Sequence, residues 1–412
     1  MLSHAHRWGD RHRGGGARRG AGLSTTAGPQ VAPQPLGVAP AARAVARLAL
    51  VGVLILPPVR RWFAAAGLDW AYLAALAWAV AFFGVPVVRR LAFALGVLDR
   101  PAARKVHRTP TPLLGGAAVY AAFALTVLFN FTFSRGLKGV VVGATLVVVI
   151  GLLDDIWDLP APVKLAGQVA GVGAALAYGV VLSVVPHWLP GADLLNVALT
   201  LVWFLTVTNA VQFLDGMDGL ASGLGVIAAL FFSISAAQTS QPYLFILAAP
   251  LVGACLGFLP YNFRPDGARI FLGDSGASFI GFTLAGLAVM GEWAEAGPIV
   301  ALLTPVLILA VPLFDIAFVS VVRVVTGKVH TLGEWLAYTG NDHIHHRFEA
   351  LGLSKTQSVL LIFFIASTLG LSAILLHHAT PYEAGLILVQ AGCVLAIIAI
   401  LEGVGRGRPG RS

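Results

Sequence analysis

The sequence is short of charge. Of 412 residues, 11% are Asp, Glu, Lys or Arg and 58% are apolar, and the mean hydropathy is +0.84. A water-soluble domain carries roughly 25% charged residues, so this composition excludes a chain that covers its core with its own polar surface. Cysteine is nearly absent. Cys255 and Cys393 are the two present, both inside apolar stretches, and neither their number nor their spacing makes a disulfide framework or a thiolate metal site. Sustained apolar–polar alternation is also missing, which argues against a membrane β-barrel. No inverted repeat of the kind that marks many transporters is visible.

What is present is a succession of apolar stretches of roughly 18–22 residues, long enough to cross a bilayer as helices. The fold class expected is all-α, a polytopic transmembrane helix bundle of about eleven spans. They are placed at 69–88, 114–133, 138–153, 163–184, 193–211, 219–236, 243–260, 275–291, 298–322, 356–377 and 383–402. Residues 1–42, rich in Arg, Gly, Pro and Ala, read as a disordered basic tail. Residues 43–68 read as a marginal apolar segment and linker. Its run Arg43–Val59 is an extra N-terminal span, a surface helix or part of an upstream extension, and it resembles a signal peptide only weakly because a second span follows at once. Residues 69–402 form the transmembrane domain, and 403–412 a basic C-terminal tail.

The net charge of +8 does not indicate nucleic acid, because the basic residues flank spans as topology signals do. One set of loops (89–113, 154–162, 212–218, 261–274, 323–355 and 403–412) holds most of the Lys and Arg, while the other set and its edges hold Arg135 and Lys138. The positive-inside rule makes the first set cytoplasmic. The carboxylates gather on that side too. Within the spans as drawn, Asp315 is the clear exception. A transporter, the rival from another class, would need ionisable residues at depth along a pathway.

Five clusters on the cytoplasmic side carry the chemistry. The first runs Arg104-Lys105-Val106-His107-Arg108-Thr109-Pro110-Thr111-Pro112, followed by Leu113-Leu114-Gly115-Gly116. Its basic and hydroxyl side chains and close-approach glycines suit a phosphate-bearing ligand, although a basic flank with a Pro-rich turn has the same look. The second is Asp154-Asp155-Ile156-Trp157-Asp158. Three carboxylates this close repel one another unless a cation or Lys compensates. If the helix continues, Asp154 and Asp158 share a face, as do Asp155 and Asp158.

The third cluster, Asn209 to Leu220, contains Gln212, Asp215 and Asp218, with glycines beside the acids. Such oxygen donors suit hard cations, and a Gly-rich turn is the plain alternative. The fourth joins Tyr261-Asn262-Phe263-Arg264 to Gly273-Asp274-Ser275-Gly276, where Asp274-Ser275 reads as a cap for the next helix. The fifth is Asp342-His343-Ile344-His345-His346-Arg347 in the longest cytoplasmic loop. It suits zinc or a phosphate, and the Asp and amide donors elsewhere favour anion binding beside Mg²⁺.

Taken in order, these clusters resemble the polyprenyl-phosphate N-acetylhexosamine-1-phosphate transferase family (glycosyltransferase family 4), over roughly residues 69–402. The His-containing loop and the segment Phe258–Gly276 are similar to the undecaprenyl-phosphate N-acetylglucosamine-1-phosphate transferase branch more than to the phospho-N-acetylmuramoyl-pentapeptide transferase branch, the runner-up. The family usually has Asn where this chain has Gln212, which bears on metal contact and on sugar preference.

The resemblance implies transfer of N-acetylglucosamine-1-phosphate, or a related sugar-1-phosphate, from a UDP-sugar to polyprenyl phosphate, releasing UMP. This is the first lipid-linked step of cell-envelope glycan synthesis. It also implies Mg²⁺, with Mn²⁺ the alternative, a multi-pass place in the bacterial inner membrane, and a cytoplasmic active site. A homodimer is compatible with it. On that basis Asp154 deprotonates or orients the acceptor phosphate and Asp155 supports the base or the metal. Asp274 and Gln212 ligate the metal. Asp215 and Asp218 shape the nucleotide pocket, with Asn209 and Asn262 beside them. Lys105, His107, Thr111, Lys164, His343, His345, His346 and Arg347 bind substrate, chiefly its phosphates. Direct attack is expected. A double displacement through an aspartyl phosphate is the alternative, and a trapped phospho-enzyme would establish it.

Overall fold

A computed structural model of the chain describes residues 49, 51–99, 110–130, 134–293, 298–331, 334 and 343–406. The tail at 1–42 lies outside them. The described residues are almost wholly helical. In chain order the helices are α1 (Pro57–Ala65), α2 (Asp69–Leu95), α3 (Gly115–Asn130), α4 (Arg135–Trp157), α5 (Ala161–Ala177), α6 (Ala192–Phe213) and α7 (Leu220–Gln238). There follow α8 (Pro242–Asn262), α9 (Gly273–Met290), α10 (Pro298–Ile308), α11 (Ala310–Val325), α12 (Ile344–Ala350), α13 (Lys355–Leu376) and α14 (Pro381–Arg406). One short antiparallel ladder pairs β1 (Leu98–Asp99) with β2 (Thr111–Pro112). Eight of the helices are long and apolar enough to cross a bilayer, or nine if α10 and α11 count as one bent span, while α3 and α5 are shorter apolar helices.

The stretches drawn as spans fall on helices, with four differences. The span drawn at 163–184 ends as α5 at Ala177, where Gly179 turns the chain with φ 85°. The next residues are irregular, and α6 supplies their hydrogen bonds. Asn196 accepts from the Val184 and Val185 N–H groups and donates to the Val185 carbonyl, and Thr200 accepts from Leu182 N–H. Non-helical backbone in an apolar setting needs such partners.

The span drawn at 298–322 bends by 80° between α10 and α11. Pro312, in the first turn of α11, has no N–H for the preceding turn and its ring crowds that turn's carbonyl. The segment drawn from 43 is helical over 51–55 and continues as α1, a surface helix with no buried residue. It leans on α2 through Phe63 against Tyr72. At the far end α14 runs to Arg406, four residues past the span as drawn and into the expected tail.

α9 is the central helix. From Ser275 through Ala288 every residue is buried, against α3, α4, α6, α7 and α8. Helices in lipid associate through close packing, which small residues permit. At its N-terminus a Cβ on Gly116 would run into the backbone of Gly276. The Gly115 and Gly116 N–H groups donate to the carbonyls of Phe271 and Leu272 at 3.0 and 2.7 Å. These two glycines, read from sequence as room for a phosphate, seat α3 against the start of α9.

Candidate active site

The site lies where α4 ends, α5 begins, α6 ends and α9 begins. α4 stops at Trp157, and Asp158 takes a left-handed φ of 51°, a conformation an Asp tolerates better than most residues. The helix does not continue, so the face shared by Asp154 and Asp158 is not formed, and Asp158 is exposed. Asp154 turns inward. Its Oδ1 accepts from Leu159 N–H at 2.7 Å, fixing the turn. Its Oδ2 lies 2.6 Å from Lys164 Nζ.

Lys164, in the first turn of α5, also reaches Asp274 Oδ2 at 2.9 Å. One ammonium thus bridges two carboxylates from helices far apart in sequence. The carboxyl groups of Asp154 and Asp274 are themselves within hydrogen-bond reach, and the Gln212 amide supports Asp274. Around this group lies a small pocket lined by Asp154, Lys164, Gln168, Gln212, Asp274 and Ser278, with Val147, Ile150 and Gly151 forming its apolar wall.

Asp155 faces the other way. It accepts from the N–H groups of Asp274 and Ser275 at 2.8 and 3.3 Å and from the Ser275 hydroxyl at 2.6 Å. It is the cap of α9, delivered from another helix. A carboxylate at a helix N-terminus satisfies orphan donors and meets the positive end of the helix dipole. The sequence places this cap on Asp274-Ser275; the structure takes it from Asp155, and Asp274 is left to face the pocket. Gly273, with φ 76°, brings the two segments together, since a Cβ there would strike the Asp155 carboxylate.

The 214–219 turn completes the surroundings. α6 ends at Phe213, so Asp215 and Asp218 sit on a turn. Asp215 is pushed well above the ordinary aspartate pKa by burial first, then by the negative charges of Asp274, Asp155 and Asp218. Asp218 accepts from Ala268 N–H at 2.9 Å. Asn262 is buried, taking the Gly219 N–H at 2.7 Å and donating to the Ile270 carbonyl. Asn209 pairs its amide with Gln168 at 2.8 Å and donates to the Leu205 carbonyl. These two amides brace the walls.

Of the residues expected from sequence, the structure brings Asp154, Lys164, Gln212 and Asp274 into the pocket itself. Thr111 is buried in β2 and is not among the residues lining the pocket. Lys105 and His107 lie outside the described residues, as do the side chains of His345 and His346, whose backbone forms the first turn of α12. His343 is buried just before that helix and stacks on Phe213, the neighbour of Gln212, at 5.3 Å between ring centres. Arg347 is half-buried in α12, and its buried Nε has no hydrogen-bond partner among the described residues.

Gln168 and Ser278 were missed. Each stands four residues after a named site residue, Lys164 and Asp274, and so on the same helical face. That spacing was legible.

The donor set suits one metal chemistry better than others. Among the described residues no three Asp, Glu, His or Cys side chains form a ready cage. Mg²⁺ rarely uses one; it keeps waters and takes one or two carboxylates together with substrate phosphate oxygens. Asp154 and Asp274, with the Gln212 amide beside them and the negative field felt by Asp215, fit that pattern.

Fold and pocket together define a polytopic membrane protein with a carboxylate–ammonium site at one end of its helix bundle. Residues 137–292, which hold all four of the pocket's sequence-expected members, match the family model described as glycosyl transferase family 4. The chain is 33% identical over 325 residues to the "Probable undecaprenyl-phosphate N-acetylglucosaminyl 1-phosphate transferase" of Bacillus subtilis, covering 77% of this chain and 88% of that one. It is 32% identical over 368 residues to the "Decaprenyl-phosphate N-acetylglucosaminephosphotransferase" of Mycolicibacterium smegmatis, covering 80% and 88%. A "Phospho-N-acetylmuramoyl-pentapeptide-transferase" of Desulforudis audaxviator is 30% identical over 329 residues, covering 70% and 92%. The chain belongs to glycosyl transferase family 4, as the order of its motifs had indicated.

Proposed function

We propose that this protein transfers N-acetylglucosamine-1-phosphate from a UDP-sugar to a polyprenyl phosphate, releasing UMP. The observation that carries the reading is the Asp154–Lys164–Asp274 bridge at the mouth of an apolar bundle. A soluble dianionic donor and a lipid-tethered phosphate can meet only at such a boundary. The names of the two N-acetylglucosamine relatives favour that sugar over the muramoyl-pentapeptide. We read eleven crossings, counting α3, α5 and the bent α10–α11 pair, and a site on the cytoplasmic side of a bacterial inner membrane, because Lys and Arg crowd that side.

The acceptor phosphate oxygen attacks the β-phosphorus of the donor. The bond from that phosphorus to the bridging oxygen breaks, and UMP leaves with the electron pair. Asp154 orients the acceptor phosphate and takes its proton where one is present. Lys164 moves from the carboxylate bridge to the incoming phosphate, for which its ammonium is a mobile point charge. Arg347, on the half-buried helix α12, offers its guanidinium to a phosphate oxygen. Asp155 holds the start of α9 so that Asp274 and Ser278 keep their places. Asp274 and Gln212 would hold Mg²⁺, with Mn²⁺ as the alternative, and the ion would supply charge neutralisation for the diphosphate and for departing UMP.

Membranes containing the protein, given undecaprenyl phosphate, Mg²⁺ and a panel of radiolabelled UDP-sugars, are expected to label the lipid fraction with UDP-N-acetylglucosamine as the best donor. Absence of lipid label with every UDP-sugar would defeat the reading. Label from the muramoyl-pentapeptide donor alone would move the protein to the other branch.

A further inference from the structure

Asp315 is the acidic residue that the distribution of charge leaves unexplained. It is 1% exposed, in the second turn of α11 just beyond the 80° break. A buried carboxylate is costly unless hydrogen-bonded, and this one is well supplied. Its Oδ2 lies 2.7 Å from His343 Nδ1, and its Oδ1 accepts from Ile344 N–H at 2.7 Å. The two bonds hold the entry to α12 at its N-cap residue, His343, and its first helical residue, Ile344. The ring of His343, 7% exposed, is then pressed on Phe213 at the end of α6, next to Gln212 of the pocket.

We propose that Asp315 is a positioning residue. Through His343 and Ile344 it fixes the orientation of α12, and with it the place of Arg347 toward the donor's diphosphate. The donor part of this proposal rests on the function proposed above. The bend between α10 and α11 has a purpose on this view, since it brings an aspartate of a membrane-embedded helix against a loop more than 25 residues further along the chain.

Two variants separate anchoring from general stability. Asp315→Ala removes both bonds. His343→Phe keeps a ring to stack on Phe213 but removes the Nδ1 partner of Asp315, and it carries the test if Asp315→Ala does not accumulate. In both, amide exchange over 344–350 is expected to quicken by about tenfold or more, with α6 unchanged. The donor KM is expected to rise about tenfold while the acceptor KM stays within about twofold. Unchanged exchange over 344–350 would overturn the anchoring. Donor and acceptor KM rising together would overturn the link to the donor. If the unaltered protein transfers no sugar phosphate, the function proposed above fails, and the exchange measurement still decides the tether.

Discussion

Asp274→Asn is expected to lower kcat by about 10³-fold or more while leaving the protein folded. The two halves of this expectation come from different contacts. Asp274 is the carboxylate shared by Lys164 and Gln212 at the pocket, so its loss leaves Lys164 tied to Asp154 alone and would deprive the proposed Mg²⁺ of a ligand. Yet α9 does not depend on Asp274 for its start, because Asp155 from α4 satisfies the Asp274 and Ser275 N–H groups. An Asn at 274 retains the backbone N–H that Asp155 grips. Asp155→Asn should behave differently, losing thermal stability along with activity, since a buried cap is worth about 1 kcal/mol or more. Steady-state transfer together with thermal unfolding in detergent checks both. More than about a tenth of normal turnover in Asp274→Asn would remove Asp274 from the chemistry.

Stripping divalent cations is expected to abolish transfer, and Mg²⁺ is expected to restore it fully, with Mn²⁺ as a partial substitute. The pocket's own charges argue for this. Asp154, Asp155, Asp215 and Asp274 gather within one site, and burial together with mutual repulsion drives Asp215 well above the ordinary aspartate pKa. Lys164 bridges two of these carboxylates. Adding a donor diphosphate brings more negative charge to a region already short of compensation. Transfer assays with and without a chelator, followed by metal titration, decide the matter; undiminished transfer in the chelator would contradict it.

Much of this was legible from the sequence, and the reasons are local. Apolar runs of bilayer length define α2, α4, α6, α7, α8, α9, α13 and α14, because the requirement for internally satisfied backbone leaves helices as the open-ended solution. Aspartates placed at the ends of those runs were bound to converge at one end of the bundle once the helices alternated in direction. Hence Asp154, Lys164, Gln212 and Asp274 were found together.

What sequence could not supply were the partners set by tertiary structure. Asp155 meets Ser275 across 120 positions, and nothing near Asp155 announces that it caps a different helix. Asp315 looked like a lone charge at depth, yet its partners are His343 and Ile344. Gly115 and Gly116 looked like a cradle for phosphate, because close approach to a ligand and close approach to a helix ask the same thing of a residue. The irregular stretch after α5 was drawn as helix since its side chains are apolar; the buried Asn196 and Thr200 that hold it belong to the next helix.

The central claim is that the phosphorus nearest the sugar travels with the sugar to the lipid. The most direct measurement is transfer from UDP-N-acetylglucosamine labelled with ³²P at the β-phosphorus and with ³H in the sugar, to undecaprenyl phosphate. The expected result is both labels in the lipid product in equal amounts, with unlabelled UMP released. Tritium in the lipid with ³²P remaining in UDP would mean transfer of the sugar alone, and would contradict the account.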